Sequence, residues 1–294
     1  MSRQVGLLIL GIAAISSAAV LVRLADAPFL VIAAFRLMIA SALLAPAGMV
    51  CSRDQMTALL KSTPLLVIAA GACLALHFAL WIASLSYTTV ASSVVLVTAN
   101  PLFVALASRV LFGERLKRWT FVGIGVSIVG AALIARSACG SGASALVGDA
   151  LALAAALAMA VYLLIGRRLR PTVGLLPYST LVFGIAALLL GTGVLGFGLP
   201  VTGYSGTTYL AMVLLALVPQ LVGHMTLNWA LRFLPATMVT IAILGEPVGA
   251  TALAAVVLGE LPQTLEVVGG VLILGGIAVA YLRGGLSSWA DVAT

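Results

Sequence analysis

The chain has 294 residues, of which 63% are hydrophobic and only 8% are charged, and its mean hydropathy is +1.25. Soluble domains carry about 25% charged residues, so this composition excludes soluble, disordered and fibrous proteins. A membrane helix needs about 20 apolar residues, so the length accommodates about ten spans and little else.

Apolar runs interrupted by proline, glycine or charge predict ten spans in chain order. The first half contributes residues 5–25, 28–50, 64–86, 89–112 and 119–137. The second half contributes residues 146–166, 174–195, 207–231, 236–258 and 264–282. The first span resembles a signal peptide, but its apolar run continues through Val22, so we expect it to be retained. Only Tyr87, Thr88 and Thr89 separate the third and fourth spans, which predicts a tight turn.

The lysines and arginines predict the orientation of these spans. With a cytoplasmic N-terminus, 12 of the 15 basic residues lie in cytoplasmic segments, Arg23 and Arg136 lie outside, and Arg36 lies within a span. A shift by one span would reverse this ratio. We therefore expect a multi-pass protein of the bacterial inner membrane with both termini in the cytoplasm. Cationic anchoring also accounts for the net charge of +7 without a nucleic-acid partner.

The two halves of the chain repeat each other. Each half contains a histidine and, downstream of it, a proline that is followed twelve residues later by a Gly-Glu pair. Since each half holds five spans, an odd number, the second half enters the membrane from the opposite side. We therefore expect an all-α integral membrane protein whose ten transmembrane helices form two inverted five-helix repeats, residues 1–137 and 146–283, an arrangement that underlies alternating access in many transporters. The corresponding residues are His77 and His224, Pro101 and Pro247, and Gly113-Glu114 and Gly259-Glu260.

The ten spans, the duplication and the proline-to-Gly-Glu block resemble the EamA-type branch of the drug/metabolite transporter superfamily over nearly the whole chain. Within that branch the sequence is most similar to the bacterial aromatic amino acid exporters of the YddG type. The resemblance implies a secondary transporter that exports small amphiphilic metabolites, aromatic amino acids above all, without a cofactor. Relatives often carry Glu-Pro in both halves, whereas here Asn100 precedes Pro101 and Glu246 precedes Pro247.

Asn100 and Glu246 are predicted to lie near the middle of the bilayer. At 1.5 Å per residue, they lie about 16 Å into the fourth span and about 15 Å into the ninth. The proline after each exposes a backbone carbonyl, which suits a ligand site, although both prolines could also serve only to shape the bundle. For Glu246 three roles stay open: a structural or gating role, binding of a substrate ammonium group, and proton coupling.

Three polar residues of the eighth span, Gln220, His224 and Asn228, follow each other at intervals of four. This spacing places them on one helical face, which cannot contact lipid. His77 and Trp81 have the same spacing in the third span. We interpret both faces as cavity linings; hydrogen bonding between helices, or an aromatic-belt position for Trp81, is the alternative.

Further candidates lie in the first, second and sixth spans. Met159 and Tyr162 offer thioether and aromatic contacts to a substrate ring, while Ser16 and Ser17 lie at similar depth, and packing is the alternative for all of them. Arg36 is interpreted either as a partner of backbone carbonyls or as a contact to a substrate carboxylate. The predicted substrate-binding set is His77, Trp81, Asn100, Met159, Tyr162, Gln220, His224, Asn228 and Glu246.

Small and basic residues are interpreted as structural. The glycines of the fifth and tenth spans allow close helix packing at a scaffold or dimer face, so we expect a monomer or a homodimer. The basic clusters at 115–118 and 167–170 are interpreted as topology determinants and contacts to lipid headgroups. The glycines concerned are Gly123, Gly125, Gly130, Gly269, Gly270, Gly275 and Gly276.

Other functional classes fit the sequence less well. The three cysteines are scattered, and no phosphate-binding loop, metal-ligand spacing or nucleophile arrangement is present in the sequence. We therefore expect neither an enzyme nor a metal site, and nothing resembles the selectivity filter of a channel. The main alternative is an exporter of other amphiphiles, namely cationic drugs or amino acids such as threonine and homoserine.

Overall fold

A computed structural model describes residues 2–112, 117–137, 143–261 and 264–284. Every regular element within these ranges is a helix. The first half contains α1 (Ser2–Ser16), α2 (Ala18–Leu24), α3 (Phe29–Cys51), α4 (Arg53–Ser62), α5 (Pro64–Ser84), α6 (Val90–Val97), α7 (Asn100–Phe112) and α8 (Arg118–Ser137). The second half contains α9 (Ala143–Leu169), α10 (Leu175–Gly196), α11 (Gly206–Leu215), the π-helix π1 (Ala216–His224), α12 (Met225–Ala230), α13 (Ala236–Ile243), α14 (Glu246–Val257) and α15 (Thr264–Gly284). The predicted Gly113-Glu114 pair lies outside the described residues.

Seven helical stretches within the described ranges are long and apolar enough to cross a membrane. Shorter apolar stretches, Arg118–Gly130 and Val267–Gly276, lie in α8 and α15. The all-helical membrane class is therefore confirmed, whereas the count of ten spans and their inversion stay predictions. The seven stretches are Gly6–Leu24, Phe29–Cys51, Pro64–Ser84, Ser144–Leu169, Leu175–Gly196, Gly206–Ala230 and Ala236–Val257.

Two predicted spans are broken into separate helices at the same point. In the fourth span α6 ends at Val97 and α7 begins at Asn100, while in the ninth α13 ends at Ile243 and α14 begins at Glu246. From the sequence, each proline is interpreted either as part of a ligand site or as shaping the bundle only. In the structure a new helix starts at each of these points, with the proline as its second residue, where the missing N–H group costs no helical hydrogen bond.

The predicted tight turn before the fourth span is present. The third predicted span ends as helix α5 at Ser84, and α6 begins at Val90. The Thr89 side chain caps α6 by accepting a hydrogen bond from the backbone N–H of Ser92 at 3.1 Å. Between α3 and α5, in contrast, the structure has a polar helix that the sequence reading missed, α4, in which only Leu59 is buried.

The helices that surround the centre pack closely. Helix α5 packs against α9 and α10, α10 packs against α3, and α1 packs against π1 and α14. A Cβ atom added at Gly223 of π1 would overlap with the Ile15 side chain of α1, so this glycine permits the close approach of the two helices. Similarly, a Cβ atom at Gly249 of α14 would overlap with Ser16.

Helices α8 and α15 pack against each other through glycines. A Cβ atom added at Gly130 would lie 2.5 Å from the carbonyl oxygen of Gly269, and one added at Gly276 would overlap with Ser127. The packing interpretation is therefore confirmed for these glycines. Gly125 and Gly275 differ, because an added Cβ atom at either position would meet no described atom within 4 Å.

Candidate functional site

A cavity of about 30 Å³ lies at the two helix breaks. Asn100 and Glu246, the first residues of α7 and α14, both line it and are 2% and 9% exposed. The other walls come from helices of both halves of the chain, from α1 to α13. A water molecule needs about 10–15 Å³ of such volume, so the cavity has room for one or two waters and is too small for an amino acid.

Six of the nine predicted substrate-binding residues line this cavity, and three do not. The three that lie elsewhere, Tyr162, Gln220 and Asn228, are each completely buried. The lining also contains eight residues outside the predicted set. The predicted residues that line the cavity are His77, Trp81, Asn100, Met159, His224 and Glu246. The additional ones are Ile15, Ala18, Arg36, Phe78, Val97, Thr98, Leu227 and Ile243.

Arg36 contributes a buried guanidinium group to the cavity wall. The side chain is 1% exposed, its Nε atom donates a hydrogen bond to Oε1 of Gln220 at 2.8 Å, and its Cζ atom lies 4.0 Å from the centre of the Phe78 ring. Neither Nη1 nor Nη2 has a hydrogen-bond partner among the described residues. The guanidinium thus faces a side-chain amide and an aromatic ring, and no contact to a backbone carbonyl accompanies them in the described part of the chain. These contacts disfavour the interpretation of Arg36 as a partner of backbone carbonyls.

The two histidines meet at the cavity around Phe78. The ring centres of His77 and His224 are 6.4 Å apart, and Phe78 contacts both rings edge-on at 4.9 and 5.1 Å. Nδ1 of His77 lies 3.0 Å from the carbonyl oxygen of Ala155. Because a carbonyl oxygen only accepts, this Nδ1 carries a proton, and Nε2 is an acceptor in the neutral ring.

One side of the cavity is aromatic and apolar. The Trp81 ring stacks parallel to His77 at 6.4 Å, with an angle of 5° between the planes, and Met159 lines the same cavity. Nε1 of Trp81 is buried without a hydrogen-bond partner among the described residues. This side therefore offers a flat apolar surface together with one unpaired donor.

Glu246 is attached to the first helix through its backbone. Ser16, which is buried, donates to the carbonyl oxygens of Ile12 at 2.9 Å and, weakly, of Glu246 at 3.4 Å. Ser17, which lies between α1 and α2, donates to the carbonyl oxygen of Ala14 in α1. The two serines thus bond to backbone, and the residues that line the cavity beside them are Ile15 and Ala18. The Glu246 side chain and the Arg36 guanidinium line the same cavity.

Tyr162 and Asn228 belong to a second buried polar cluster, between α9, α10 and α12. The Tyr162 hydroxyl donates to Oδ1 of Asn228 at 2.6 Å, and Nδ2 of Asn228 donates to Ser179 at 3.4 Å. Arg170, directly after α9, donates from Nε to the carbonyl oxygen of Asn228 at 2.8 Å and from Nη1 to that of Val173. This cluster joins three helices of the second half.

The position of Arg170 corrects its interpretation as a lipid-headgroup contact. The side chain is 1% exposed and bonds to backbone carbonyls. Burial lowers the pKa of its guanidinium below the ordinary value. Its neighbours Arg167 and Arg168 were given the same role, but the sequence offers no signal that separates Arg170 from them.

Gln220, His224 and Asn228 have different partners although their spacing predicts one helical face. Gln220 accepts a hydrogen bond from Arg36, His224 lines the cavity, and Asn228 accepts a hydrogen bond from Tyr162. Gln220 and His224 belong to π1, whereas Asn228 belongs to α12. Helical spacing in the sequence does not show the presence of π1.

A third polar contact group lies at the other end of α9. Nη2 of Arg23, in α2, donates to the carbonyl oxygen of Thr88 at 3.1 Å, and Ser92 donates to Oδ1 of Asp149 at 2.8 Å. Gly148, near the start of α9, packs against Thr88. Arg170 follows the last residue of α9, a helix of 27 residues. From Gly148 to Arg170, at 1.5 Å per residue, the contacts of Arg23 and Arg170 are thus about 33 Å apart along α9, on opposite sides of the cavity.

The cavity-lining residues outside the predicted set differ in the signal that they carry. Arg36 is a charge inside a span and is for that reason already interpreted from the sequence as a possible contact to a substrate carboxylate. Phe78 is one more apolar residue in an apolar run, and its contact to Arg36 follows only from the packing of α3 against α5. Thr98 lines the cavity because α6 ends at Val97.

Comparison with known proteins places the chain among membrane transporters. It is 28% identical over 188 residues to the uncharacterized transporter YdfC of Bacillus subtilis, covering 64% of this chain and 61% of that protein. It is also 28% identical over 204 residues to an uncharacterized transporter of Clostridium kluyveri, covering 67% of this chain and 65% of that protein. The chain thus matches less than two thirds of the length of each relative.

One solved crystal structure supports the fold. It superposes on 96% of this chain and 98% of its own with a TM-score of 0.78, at 22% sequence identity. The EamA-like transporter family model matches the chain twice, over residues 3–136 and 146–282. Together these matches cover nearly the whole sequence, and the chain therefore belongs to the EamA-like transporter family.

Proposed function

We propose that this transporter exports small amphiphilic metabolites, aromatic amino acids above all, by alternating access. The observation that supports this most strongly is the chemistry of the central cavity. Its wall combines the guanidinium of Arg36, the carboxyl of Glu246 and the flat indole of Trp81 in one buried site. These groups complement the carboxylate, the ammonium and the ring of an aromatic amino acid.

The proposed mechanism needs two equivalent halves, residues 1–137 and 146–283. The helix boundaries support this division, because three elements of the second half begin 146 residues after their counterparts. Helices α6, α7 and α8 begin at residues 90, 100 and 118, whereas α13, α14 and α15 begin at 236, 246 and 264. In the proposed arrangement the second half is inverted, and the ten predicted spans form two bundles around the cavity.

The small size of the cavity fits a closed form in an alternating-access cycle. A volume of about 30 Å³ does not hold phenylalanine, so binding requires the cavity to widen. The contacts of Arg23 with Thr88 and of Arg170 with Asn228 close the two ends of the path. We propose that the contact of Arg170 faces the cytoplasm of a bacterial inner membrane, as the distribution of basic residues predicts.

Counterflow in proteoliposomes tests this function. The full-length protein is reconstituted, loaded with unlabelled phenylalanine, and supplied outside with labelled phenylalanine, tryptophan, threonine, lysine or glutamate. Saturable uptake that is fastest for the aromatic compounds is expected. Equal exchange of all five would remove the aromatic assignment, uptake of threonine alone would favour the alternative substrate class, and flux that does not saturate would indicate a channel.

A further inference from the structure

Two nitrogen atoms of Arg36 are unpaired although the side chain is almost completely buried. Arg36 is 1% exposed and lines the central cavity, and Nη1 and Nη2 have no hydrogen-bond partner within the described ranges. Buried donors are nearly always hydrogen-bonded in native proteins, and a charged donor especially so. An unpaired guanidinium edge in a cavity wall therefore points to a ligand.

The surroundings of Arg36 hold its guanidinium plane in one orientation. Gln220 accepts from Nε at 2.8 Å, and the Phe78 ring lies 4.0 Å from Cζ. Gln220 is bonded to the Nε atom and the Phe78 ring covers one face of the guanidinium, so the edge formed by the two Nη atoms is free. This edge presents two parallel N–H donors, which match the two oxygens of a carboxylate.

None of the described ionisable groups of the cavity wall accepts a hydrogen bond from the two Nη atoms of Arg36. Glu246 lines the same cavity, but its carboxyl oxygens make no hydrogen bond to either Nη atom. His77 donates to Ala155, and His224 makes no hydrogen bond to either Nη atom. No other titratable side chain lines the cavity among the described residues.

We infer that Arg36 binds the carboxylate of the transported substrate and that Gln220 positions its guanidinium for this contact. The inference rests on the proposed function in one respect, namely that this cavity is the substrate site. It assigns the site a requirement for a carboxylate. An aromatic amine that lacks the carboxylate is therefore excluded, whereas an aromatic acid that lacks the amine is accepted.

Ligand-induced stabilisation of the purified full-length protein tests this requirement without any transport step. The probes are L-phenylalanine, 3-phenylpropionate, which lacks the amine, and phenethylamine, which lacks the carboxylate. Dissociation constants follow from the rise of the unfolding temperature with ligand concentration. We expect both carboxylates to bind at least about tenfold more tightly than phenethylamine. Equal affinity for phenethylamine, or no stabilisation by either carboxylate, would overturn the inference.

Arg36→Lys separates charge from geometry. Lysine keeps the positive charge but loses the planar pair of donors, so both carboxylates should bind about tenfold more weakly while phenethylamine is unaffected. Arg232→Lys is the matched control, because Arg232 also lies over a phenyl ring, that of Phe233, but is exposed and outside the cavity. A variant at Arg36 that retains full affinity for carboxylates contradicts the inference. If that variant does not fold, the three probes on the unmodified protein decide alone.

The failure of the inference and that of the proposed function are distinguishable. If carboxylates bind through Arg36 but proteoliposomes do not exchange phenylalanine, the proposed substrate is wrong and the carboxylate site stands. If phenylalanine and phenethylamine are exchanged equally well, the transport proposal stands and the carboxylate site is overturned.

Discussion

The imidazole rings of His77 and His224 lie 6.4 Å apart at the central cavity, although 147 positions separate the two residues in the chain. His77 belongs to α5 in the first half and His224 to π1 in the second. The Phe78 ring contacts both imidazoles and also the guanidinium of Arg36. The cavity is therefore built jointly by both halves of the chain, and Phe78 is its central apolar residue.

Replacing Phe78 should impair substrate binding as well as packing. Phe78→Leu removes the ring under Arg36, and we expect a several-fold higher KM for phenylalanine in counterflow, with a loss of unfolding free energy of about 1 kcal/mol. Phe183→Leu is the control, because Phe183 is equally buried in α10 but does not line the cavity. The same rise in KM in both variants would show that Phe78 acts only through packing.

Arg23 and Arg170 should bias the protein in opposite directions. The reporter is Ala18→Cys, at the cavity wall, in a chain whose natural cysteines Cys51, Cys73 and Cys139 are replaced. Arg170→Gln weakens closure on the proposed cytoplasmic side, so labelling of the reporter from that side should accelerate several-fold. Arg23→Gln should accelerate labelling from the outside.

Two results would contradict the proposed closure by Arg23 and Arg170. If labelling accelerates from the same side in both variants, or from neither side, the two arginines do not close opposite ends of one path. The wild-type arginines with the same reporter provide the reference rates.

Glycines in α8 and α15 should tolerate substitution according to the space beside them. Gly130→Ala and Gly276→Ala force atoms apart between the two helices and should lower the free energy of unfolding by about 1–3 kcal/mol. Gly125→Ala and Gly275→Ala point into open space and should be neutral or slightly stabilising, since alanine favours helix. Thermal unfolding of the four variants measures this, and equal effects at all four positions would contradict the packing of α8 on α15.

Glu246→Gln tests the carboxyl group of the cavity. Glutamine keeps size and hydrogen bonding but removes ionisation, so the cavity wall loses the one acidic side chain among its described residues. We expect a loss of unfolding free energy of about 1–3 kcal/mol and a higher KM for phenylalanine, with less effect on 3-phenylpropionate, which has no ammonium group. A variant that exchanges phenylalanine at the wild-type rate with unchanged pH dependence would leave Glu246 only a structural or gating role.

Apolar runs and proline positions predict much of this architecture. The all-helical class and the tight turn at Thr89 follow from residues that lie close together in the chain. The relationship of the site residues to one another does not follow from such patterns. The contact of Arg36 with Gln220 spans 184 positions, and it depends on the packing of α3 against π1, which spacing along the chain does not reveal.

The partners of buried polar residues are the second feature that the sequence does not predict. Tyr162 and Asn228 are polar groups at membrane depth, and this alone indicates only that they face protein or a cavity. In the structure they bond to each other rather than to the cavity. Arg170 resembles its neighbours Arg167 and Arg168 in the sequence, and only the fold shows that its side chain is buried and bonds to a backbone carbonyl.

We propose that one cavity opens alternately to both sides of the membrane and holds the substrate. Labelling of Ala18→Cys in proteoliposomes of known orientation tests this proposal, with a membrane-impermeant thiol reagent applied to either side in the presence or absence of phenylalanine. We expect labelling from both sides and protection from both by phenylalanine, but not by lysine. Labelling from one side only, or labelling that phenylalanine does not slow, would contradict it.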